Sequence, residues 1–258
     1  MKKKIDIKIA LMIIIVLLFF IWIHKSKSLA IELSKNSVLS TEMIDKVATI
    51  TKNEEKIAYL TFDDGPTISV THKILYILKS EDVKATFFVI GKYVDKHPEI
   101  VRREYEEGHY IANHGYDHDN SVLYKSNESF RNELEKTDIA IGKAIGVDDY
   151  CSHIFRFPNG FMSPANKSSK KEALKILEEM QYTYVDWNCL NNDSVKKYSR
   201  QELLNNLKKT SKNKGALVIL MHDTKDVSDS STILKESIEY LKSEGYEFKN
   251  FYDLLQNN

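Results

Sequence analysis

Residues 57–66 read Ile-Ala-Tyr-Leu-Thr-Phe-Asp-Asp-Gly-Pro, an apolar run that ends in two adjacent carboxylates and a turn. The six apolar or β-prone residues predict a buried strand over 57–62, because aromatic and β-branched side chains favour strands. Gly65 and Pro66 predict the turn that follows this strand. The stretch therefore predicts a buried strand that delivers two acidic side chains to its carboxyl end.

Strand and helix patterns alternate along the chain after this stretch. A strand that is followed each time by a covering helix predicts an α/β protein with parallel strands. About seven such units over roughly 200 residues favour closure into a barrel, whose active site lies at the carboxyl ends of the strands. Strands are predicted at 57–62, 85–90, 110–113, 154–157, 182–187 and 216–221, and helices at 70–79, 99–107, 129–145, 170–180, 200–212 and 233–244, before a short closing strand and helix.

Composition limits the function classes that need to be considered. The chain has 258 residues, of which 42% are hydrophobic, so it is long enough for one large core and does not have a disordered composition. Lys plus Arg equals Asp plus Glu, at 37 each, so the chain has no net positive charge that would attract nucleic acid. We expect no nucleic-acid partner and infer no obligate protein partner.

The amino terminus carries an uninterrupted apolar run over residues 9–23, flanked by lysines. Residues 1–28 contain six Lys and one Asp, so this segment is strongly basic. A helix of this length spans roughly 22 Å, a little short of a bilayer core of about 30 Å. The pattern predicts a cytoplasmic stub and membrane anchor at 1–28, with the body outside the cytoplasm as a single-pass membrane protein. A cleaved signal peptide, which would give a secreted protein, is the alternative. Residues 29–55 are predicted as a linker or stalk, and 56–258 as the folded domain.

Reactive side chains are concentrated at five of the predicted strand ends. Each motif taken singly has an ordinary structural interpretation, such as a turn or a pair of surface histidines. Because the carboxyl ends of parallel strands share one face of a barrel, the five motifs together indicate an active site. They are Asp63-Asp64, His114 with His118, Arg156-Phe157-Pro158-Asn159, Asp186-Trp187 and Leu220-Met221-His222.

The residue types suit metal-assisted hydrolysis. His114 and His118 are four residues apart, so one tight loop can direct both at a single metal ion. A carboxylate would complete a set of two histidines and one aspartate, which leaves a position open for water as in catalytic zinc sites. Asp63 and Asp64 can divide the roles of base and ligand, since neighbouring residues of an extended chain point in opposite directions. His222 can act as a general acid.

These motifs, in this order, closely resemble the polysaccharide deacetylase family, the carbohydrate esterase family 4 with a NodB homology domain. The resemblance covers roughly residues 56–255 and implies a distorted (β/α) barrel of about seven parallel strands, with 56–258 as the catalytic domain. It also implies one divalent metal ion, with Zn²⁺ favoured and Co²⁺ or another ion possible. By the same resemblance, Asp64, His114 and His118 bind the metal. The resemblance also implies that Asp63 is the base, that Arg156 orients Asp63 and that Asp186 tunes the acid His222. It further implies that Trp187 and Leu220 line the acetyl pocket and that the Asn159 backbone N–H is the oxyanion donor.

Two positions depart from the family pattern. Gly115 stands where Ser or Thr is frequent, which removes a hydroxyl that could orient the loop and leaves metal affinity open. Asn159 stands where Tyr, Phe or Gly is usual, which leaves the fit of the substrate open. The two cysteines, Cys151 and Cys189, are expected to be free thiols, because the predicted parallel strands separate them by more than the disulfide limit of about 7 Å.

The expected reaction is hydrolysis of N-acetyl groups on a cell-wall polysaccharide, with the N-acetylglucosamine of peptidoglycan as first choice. This substrate follows from the family and from the predicted location, since no single residue specifies it. The expected partners are that polysaccharide and the membrane. The alternatives are an O-acetyl esterase on xylan-type polysaccharide, a chitooligosaccharide deacetylase and, more remotely, an inactive wall-binding module.

Overall fold

The protein is seen here in a computed structural model that describes residues 12, 14–18, 39–224 and 227–255. Eight strands and ten helices of these residues are numbered in chain order, and two 3₁₀ helices accompany them at Ile50–Lys52 and Ser230–Thr232. The strands are β1 (Ile57–Asp63), β2 (Thr86–Val89), β3 (Tyr110–Asn113), β4 (Ile154–Phe155), β5 (Thr183–Tyr184), β6 (Cys189–Leu190), β7 (Leu217–His222) and β8 (Glu247–Lys249). The helices are α1 (Thr41–Thr49), α2 (Thr71–Ser80), α3 (Gly91–Lys96), α4 (Pro98–Glu106), α5 (Asn120–Leu123), α6 (Asn127–Ile145), α7 (Lys167–Glu179), α8 (Arg200–Ser211), α9 (Leu234–Ser243) and α10 (Phe251–Leu255).

Seven strands form one parallel sheet in the order β5-β4-β3-β2-β1-β7-β6. The eighth strand, β8, pairs in parallel with the first half of β1. The longest pairing joins β1 to β7, in a register that sets Asp63 opposite His222. This curled sheet of seven parallel strands agrees with the predicted α/β barrel, and its register brings two of the predicted site residues side by side.

Strand β1 shows how the sequence divides the core into two layers. Ala58, Leu60 and Phe62 pack in the cluster that includes residues of the surrounding helices. Ile57 and Tyr59 belong to a second cluster, called the inner cluster below, together with inward-facing residues of the other strands. Because side chains alternate along a strand, the face that carries Tyr59 also carries Asp63. The carboxylate of Asp63 is thereby directed to the carboxyl end of the barrel interior.

The predicted membrane anchor is not supported. Among the residues that the structure describes, no helix is long and apolar enough to cross a membrane. Only residues 12 and 14–18 of the apolar run at 9–23 are described, and these are helical and exposed. The prediction of a transmembrane helix and of a single-pass membrane location is therefore wrong on this finding, and the remainder of residues 1–28 lies outside the described residues.

The described part of the predicted linker, from residue 39 onward, contains helix and packs on the barrel. Ser40 caps α1 by accepting a hydrogen bond from the N–H of Met43, at 3.2 Å. Leu39, Val47 and Ile50 are buried in the inner cluster. Helix α1 contacts β5, and the 3₁₀ helix after it contacts β7. This segment therefore links strands on opposite sides of the sheet.

Both cysteines are free, as predicted. Cys151 precedes β4, and Cys189 lies in the short strand β6, which was not among the predicted strands. That strand lies at the far end of the sheet from β5, next to β7.

Candidate active site

Two strand ends bring together three side chains that suit a metal ion. Asp64 follows β1 in a left-handed backbone conformation, with φ of 75°, and His118 is also left-handed, with φ of 56°. The Oδ1 atom of Asp64 lies 3.3 Å from Nε2 of His114 and 3.2 Å from Nε2 of His118. The possible ligand atoms of all three residues lie within 4.8 Å of one another. The predicted metal ligands are thus adjacent in the folded chain.

The donor set of these three residues fits a divalent cation. Oδ1 of Asp64 is buried and has no hydrogen-bond partner, although it lies between two imidazole nitrogens. Such an orphaned buried oxygen is rare in folded proteins unless an ion or water satisfies it. The Nδ1 atom of His114 pairs with the carbonyl oxygen of Arg156 at 2.8 Å, which leaves Nε2 free to serve as a ligand. Two imidazoles and one carboxylate are typical of zinc sites with an open position.

Burial and neighbouring charges shift the pKa values of all three side chains of this cluster. Burial opposes ionisation of Asp64, but the short contact with His114 and the positive charge of that histidine outweigh it and hold the pKa of Asp64 well below its usual range. Burial likewise opposes protonation of His114, but Asp63 and Asp64 raise its pKa. The pKa of His118 falls to about 4, because of burial and the nearby charge of His114. The cluster can therefore present an ionised Asp64 and a neutral His118, and a metal ion at Nε2 of His114 would take the place of the proton there.

Asp63 has a different environment from its neighbour. Nη1 of Arg156 donates to Oδ1 of Asp63 at 2.8 Å and to Oγ1 of Thr61 at 2.7 Å. Nε of Arg156 donates to the carbonyl oxygen of Val185 at 3.0 Å, and the guanidinium lies 4.0 Å from the centre of the Phe88 ring. Arg156 is fully buried, so this ion pair fixes one oxygen of Asp63. The other oxygen, Oδ2, lies 3.9 Å from Nε2 of His114 and faces the metal cluster.

His222 is held by Asp193 and not by Asp186. Its Nδ1 lies 2.7 Å from Oδ1 of Asp193, and its backbone N–H donates to Oδ2 of the same residue at 2.8 Å. Burial alone would lower the pKa of His222, but the hydrogen bond and charge of Asp193 raise it to about 9. Nε2 of His222 points into the site, 3.9 Å from Oδ2 of Asp64.

The role expected for Asp186 therefore needs correction. Its carboxylate accepts the backbone N–H groups of Phe161 and Met162, at 2.9 and 3.2 Å, and so fixes the loop after Asn159. Asp193 was not among the predicted site residues, because the strand of two residues before it, β6, leaves no periodic pattern. The available signal was the second polar cluster after Cys189-Leu190, since β6 pairs with β7 and carries the chain toward His222.

The remaining predicted residues lie in the loop after Arg156, in the segment after β5 and on β7. Asn159 is left-handed, with φ of 63°, and a side chain at Gly160 would come within 2.8 Å of the Trp187 ring. Trp187 is half-buried and lies 5.7 Å from the Arg156 guanidinium, and Leu220 is buried on β7. On the other side of the cluster is a cleft of about 430 Å³. It is lined by Asp64, Thr67, Ser69, Ile90, Lys92, Tyr93, Asp117, His118 and Thr224.

Comparison with known proteins identifies the family. A sequence profile described as polysaccharide deacetylase matches residues 51–185, which is about half of the chain. A peptidoglycan-N-acetylglucosamine deacetylase of Bacillus cereus is 35% identical over 207 residues, covering 78% of this chain and 71% of that protein. The chain belongs to the polysaccharide deacetylase family.

Other members of the family differ in what their names say they act on. The peptidoglycan-N-acetylmuramic acid deacetylase PdaA of Bacillus subtilis is 30% identical, covering 78% of this chain and 72% of that protein. A solved structure of a carbohydrate esterase family 4 esterase from Streptococcus mutans superposes with a TM-score of 0.70 at 28% identity, covering 80% of this chain and 90% of that one. Membership therefore indicates a metal-dependent hydrolase of carbohydrate acetyl groups.

Proposed function

We propose that this protein removes N-acetyl groups from a cell-wall polysaccharide, with the N-acetylglucosamine residues of peptidoglycan as the preferred substrate. The observation that carries the proposal is the orphaned Asp64 oxygen between His114 and His118, with Asp63 and His222 beside it. The activity named for the Bacillus cereus relative supports the choice of sugar.

The proposed cofactor is one divalent metal ion held by Asp64, His114 and His118. Zinc is favoured, because two imidazole nitrogens and one carboxylate oxygen are its usual catalytic ligands; cobalt could occupy the same set. When bound, the ion would supply Lewis-acid activation of a water molecule and of the acetyl carbonyl.

The protein side chains would divide the proton transfers. Asp63 accepts the proton of the attacking water through the oxygen that faces the cluster, while Arg156 holds its other oxygen. Water adds to the acetyl carbonyl carbon, and the carbon–nitrogen bond then breaks to give acetate and a free amine. His222, which Asp193 keeps protonated, donates a proton to the departing nitrogen.

The rest of the mouth would bind the acetyl group. The backbone N–H of Asn159 is suited to donate to the oxyanion, a role in which the side chain need not take part. Trp187, in the segment between β5 and β6, and Leu220, two residues before the end of β7, would enclose the methyl group, since both side chains are apolar. Asp186 would act on this pocket indirectly, through the loop that it fixes after Asn159.

The test is to incubate the purified full chain with peptidoglycan, chitooligosaccharide and acetylated xylan, each with added zinc and with a chelator. Free acetate, new primary amines and the identity of the deacetylated sugar are measured. We expect amines on glucosamine residues of peptidoglycan in the presence of zinc, and little product with the chelator. His118→Ala serves as the control that lacks one ligand.

Each alternative predicts a different outcome of the same assay. Acetate without new amine would indicate an O-acetyl esterase, and amine from chitooligosaccharide alone would indicate a chitooligosaccharide deacetylase. Deacetylated muramic acid would move the assignment to the other sugar of peptidoglycan. No acetate from any substrate with zinc present would favour an inactive wall-binding module.

A further inference from the structure

The loop that carries His118 has little structure of its own. Residues 114–118 join β3 to the segment before α5 without forming helix or strand. Gly115, with φ of 84°, and His118 both have left-handed backbones, and Gly115 contributes no side chain. The position of His118 relative to Asp64 therefore depends on groups outside the loop.

The carbonyl oxygens of this loop are held by the start of α3. The N–H of Gly91 donates to the oxygen of Gly115 at 3.0 Å, and the N–H of Lys92 donates to the oxygen of Tyr116 at 3.1 Å. Nζ of Lys92 donates to the oxygen of Asp117 at 2.6 Å. Three consecutive carbonyls are thus fixed on one side of the loop.

The amide groups on the other side are held mainly by one carboxylate. Oε2 of Glu133 accepts the N–H of Tyr116 at 2.9 Å and the N–H of Asp117 at 2.8 Å. Oδ1 of Asn113 accepts the N–H of Gly115 at 2.9 Å. Glu133 lies in the middle of α6, a helix of 19 residues, and only 2% of its surface is exposed. A buried acceptor on a long helix that holds two consecutive N–H groups gives the loop a rigid attachment.

We propose that Glu133 is a positioning residue that sets the metal affinity of the site by holding the 115–118 loop so that His118 faces Asp64. The inference rests on the proposed metal-binding role of His118. It also gives a reason why this chain can have glycine at position 115, because Glu133 supplies the attachment from outside the loop. A carbon atom at Gly115 would lie 3.6 Å from Oε2 of Glu133, so the carboxylate fills the space beside this glycine.

The experiment compares full chains that carry Glu133→Ala, Glu133→Gln or Glu135→Ala. Glu135 is exposed on the same helix and serves as the matched control. The zinc dissociation constant is measured by competition with a chromogenic chelator. Amide hydrogen exchange at Tyr116 and Asp117 is measured without metal. We expect Glu133→Ala to bind zinc 10- to 100-fold more weakly, as is typical when a group that orients a ligand is removed.

Glu133→Gln keeps the shape and one acceptor oxygen, so it should lose less affinity than Glu133→Ala and rescue part of the binding. The two amides should exchange faster in Glu133→Ala, and turnover should largely return at saturating zinc, because all three ligands remain. Glu135→Ala should behave as the unchanged chain. If Glu133→Ala does not fold, the smaller loss in Glu133→Gln carries the test.

A purely structural role for Glu133 predicts another pattern. The metal-free variants would then unfold at lower temperature while their zinc affinity stayed within twofold of the unchanged chain, and this result would overturn the inference. If the unchanged chain itself binds no zinc, the proposed metal site fails and the inference fails with it. The two failures are distinguishable, because a purely structural role of Glu133 would be seen only in the variants, whereas a missing metal site would be seen in the unchanged chain as well.

Discussion

Asp63 and Asp64 are adjacent in sequence but differ in what holds them. Asp63 is paired with the buried Arg156, whereas Asp64 lies between two imidazoles with one oxygen unpaired. An extended chain would point the two side chains apart, but the left-handed backbone of Asp64 lets both carboxylates approach His114. The groups around each carboxylate therefore separate the two roles more than the directions of the two side chains do.

Asparagine at each position tests this separation. Asp64→Asn should weaken zinc binding, because a neutral amide oxygen is a poorer ligand than a carboxylate. Asp63→Asn should keep zinc but lower turnover about 10²- to 10⁴-fold, the usual range for loss of a general base. Zinc content and turnover are measured for both variants. Loss of zinc in Asp63→Asn with retention in Asp64→Asn would mean that the roles are reversed.

The contact between His222 and Asp193 predicts the alkaline limb of the pH profile. A general acid must be protonated, so activity should fall as pH rises through the pKa of His222, which Asp193 raises to about 9. Asp193→Asn removes the negative charge that raises this pKa, so the pKa should fall and the alkaline limb should move to lower pH. The measurement is turnover against pH at saturating zinc.

Asp186→Asn is the matched control for this prediction. Its carboxylate accepts backbone N–H groups after Asn159, and in the described part of the chain it forms no hydrogen bond or ion pair with His222. This variant should therefore change substrate binding more than the position of the alkaline limb. An unchanged limb in Asp193→Asn would show that another group is the acid.

At the scale of elements, sequence patterns located the long strands and helices to within a few residues. Strand β3 was predicted with the observed bounds, and α6 and α8 differ from prediction by two residues or fewer. The patterns failed where an element is too short to complete a period, as in α3, α5 and β6. They also gave no sign of α1, since its burial depends on the barrel that it covers.

The candidate site was predictable to the same degree. Asp64 follows β1, and His114 and His118 follow β3, two strands that the sequence patterns predicted, so their convergence could be expected from the parallel order alone. Asp193 follows the short strand β6, and Glu133 lies in the middle of a helix far from any motif. Groups that orient the reactive residues come from remote parts of the chain, and a linear pattern does not mark them.

The segment before β1 gives a prediction about stability. Ile50 is buried in the inner cluster with residues of β1, β7 and α10. Ile50→Ala should lower the free energy of unfolding by about 2–5 kcal/mol, through lost burial and the cavity left behind. Thr51→Ala, an exposed neighbour in the same 3₁₀ helix, should change it by less than about 0.5 kcal/mol. Equilibrium unfolding in urea measures the free energy of unfolding of both variants. Equal losses in Ile50→Ala and Thr51→Ala would mean that this segment does not stabilise the barrel.

At the scale of the whole molecule, the proposed metal ion would join strand ends that are not neighbours. Its ligands follow β1 and β3, and β2 lies between these strands. Only the folded barrel would bind an ion there, because the unfolded chain does not hold Asp64 beside the two histidines. Ligand binding to the folded state alone raises the free energy of unfolding by mass action.

Zinc should therefore raise the melting temperature of the full chain, and a chelator should lower it. At free zinc 100-fold above the dissociation constant the gain is about 2.7 kcal/mol. For a domain of this size each kcal/mol corresponds to roughly 2–4 °C, so a shift of about 5–10 °C is expected. The shift should disappear in His118→Ala, which lacks a ligand, and should persist in Asp63→Asn, which keeps all three. A melting temperature of the unchanged chain that does not respond to zinc would contradict a metal site that links the two strands, whatever the activity assay shows.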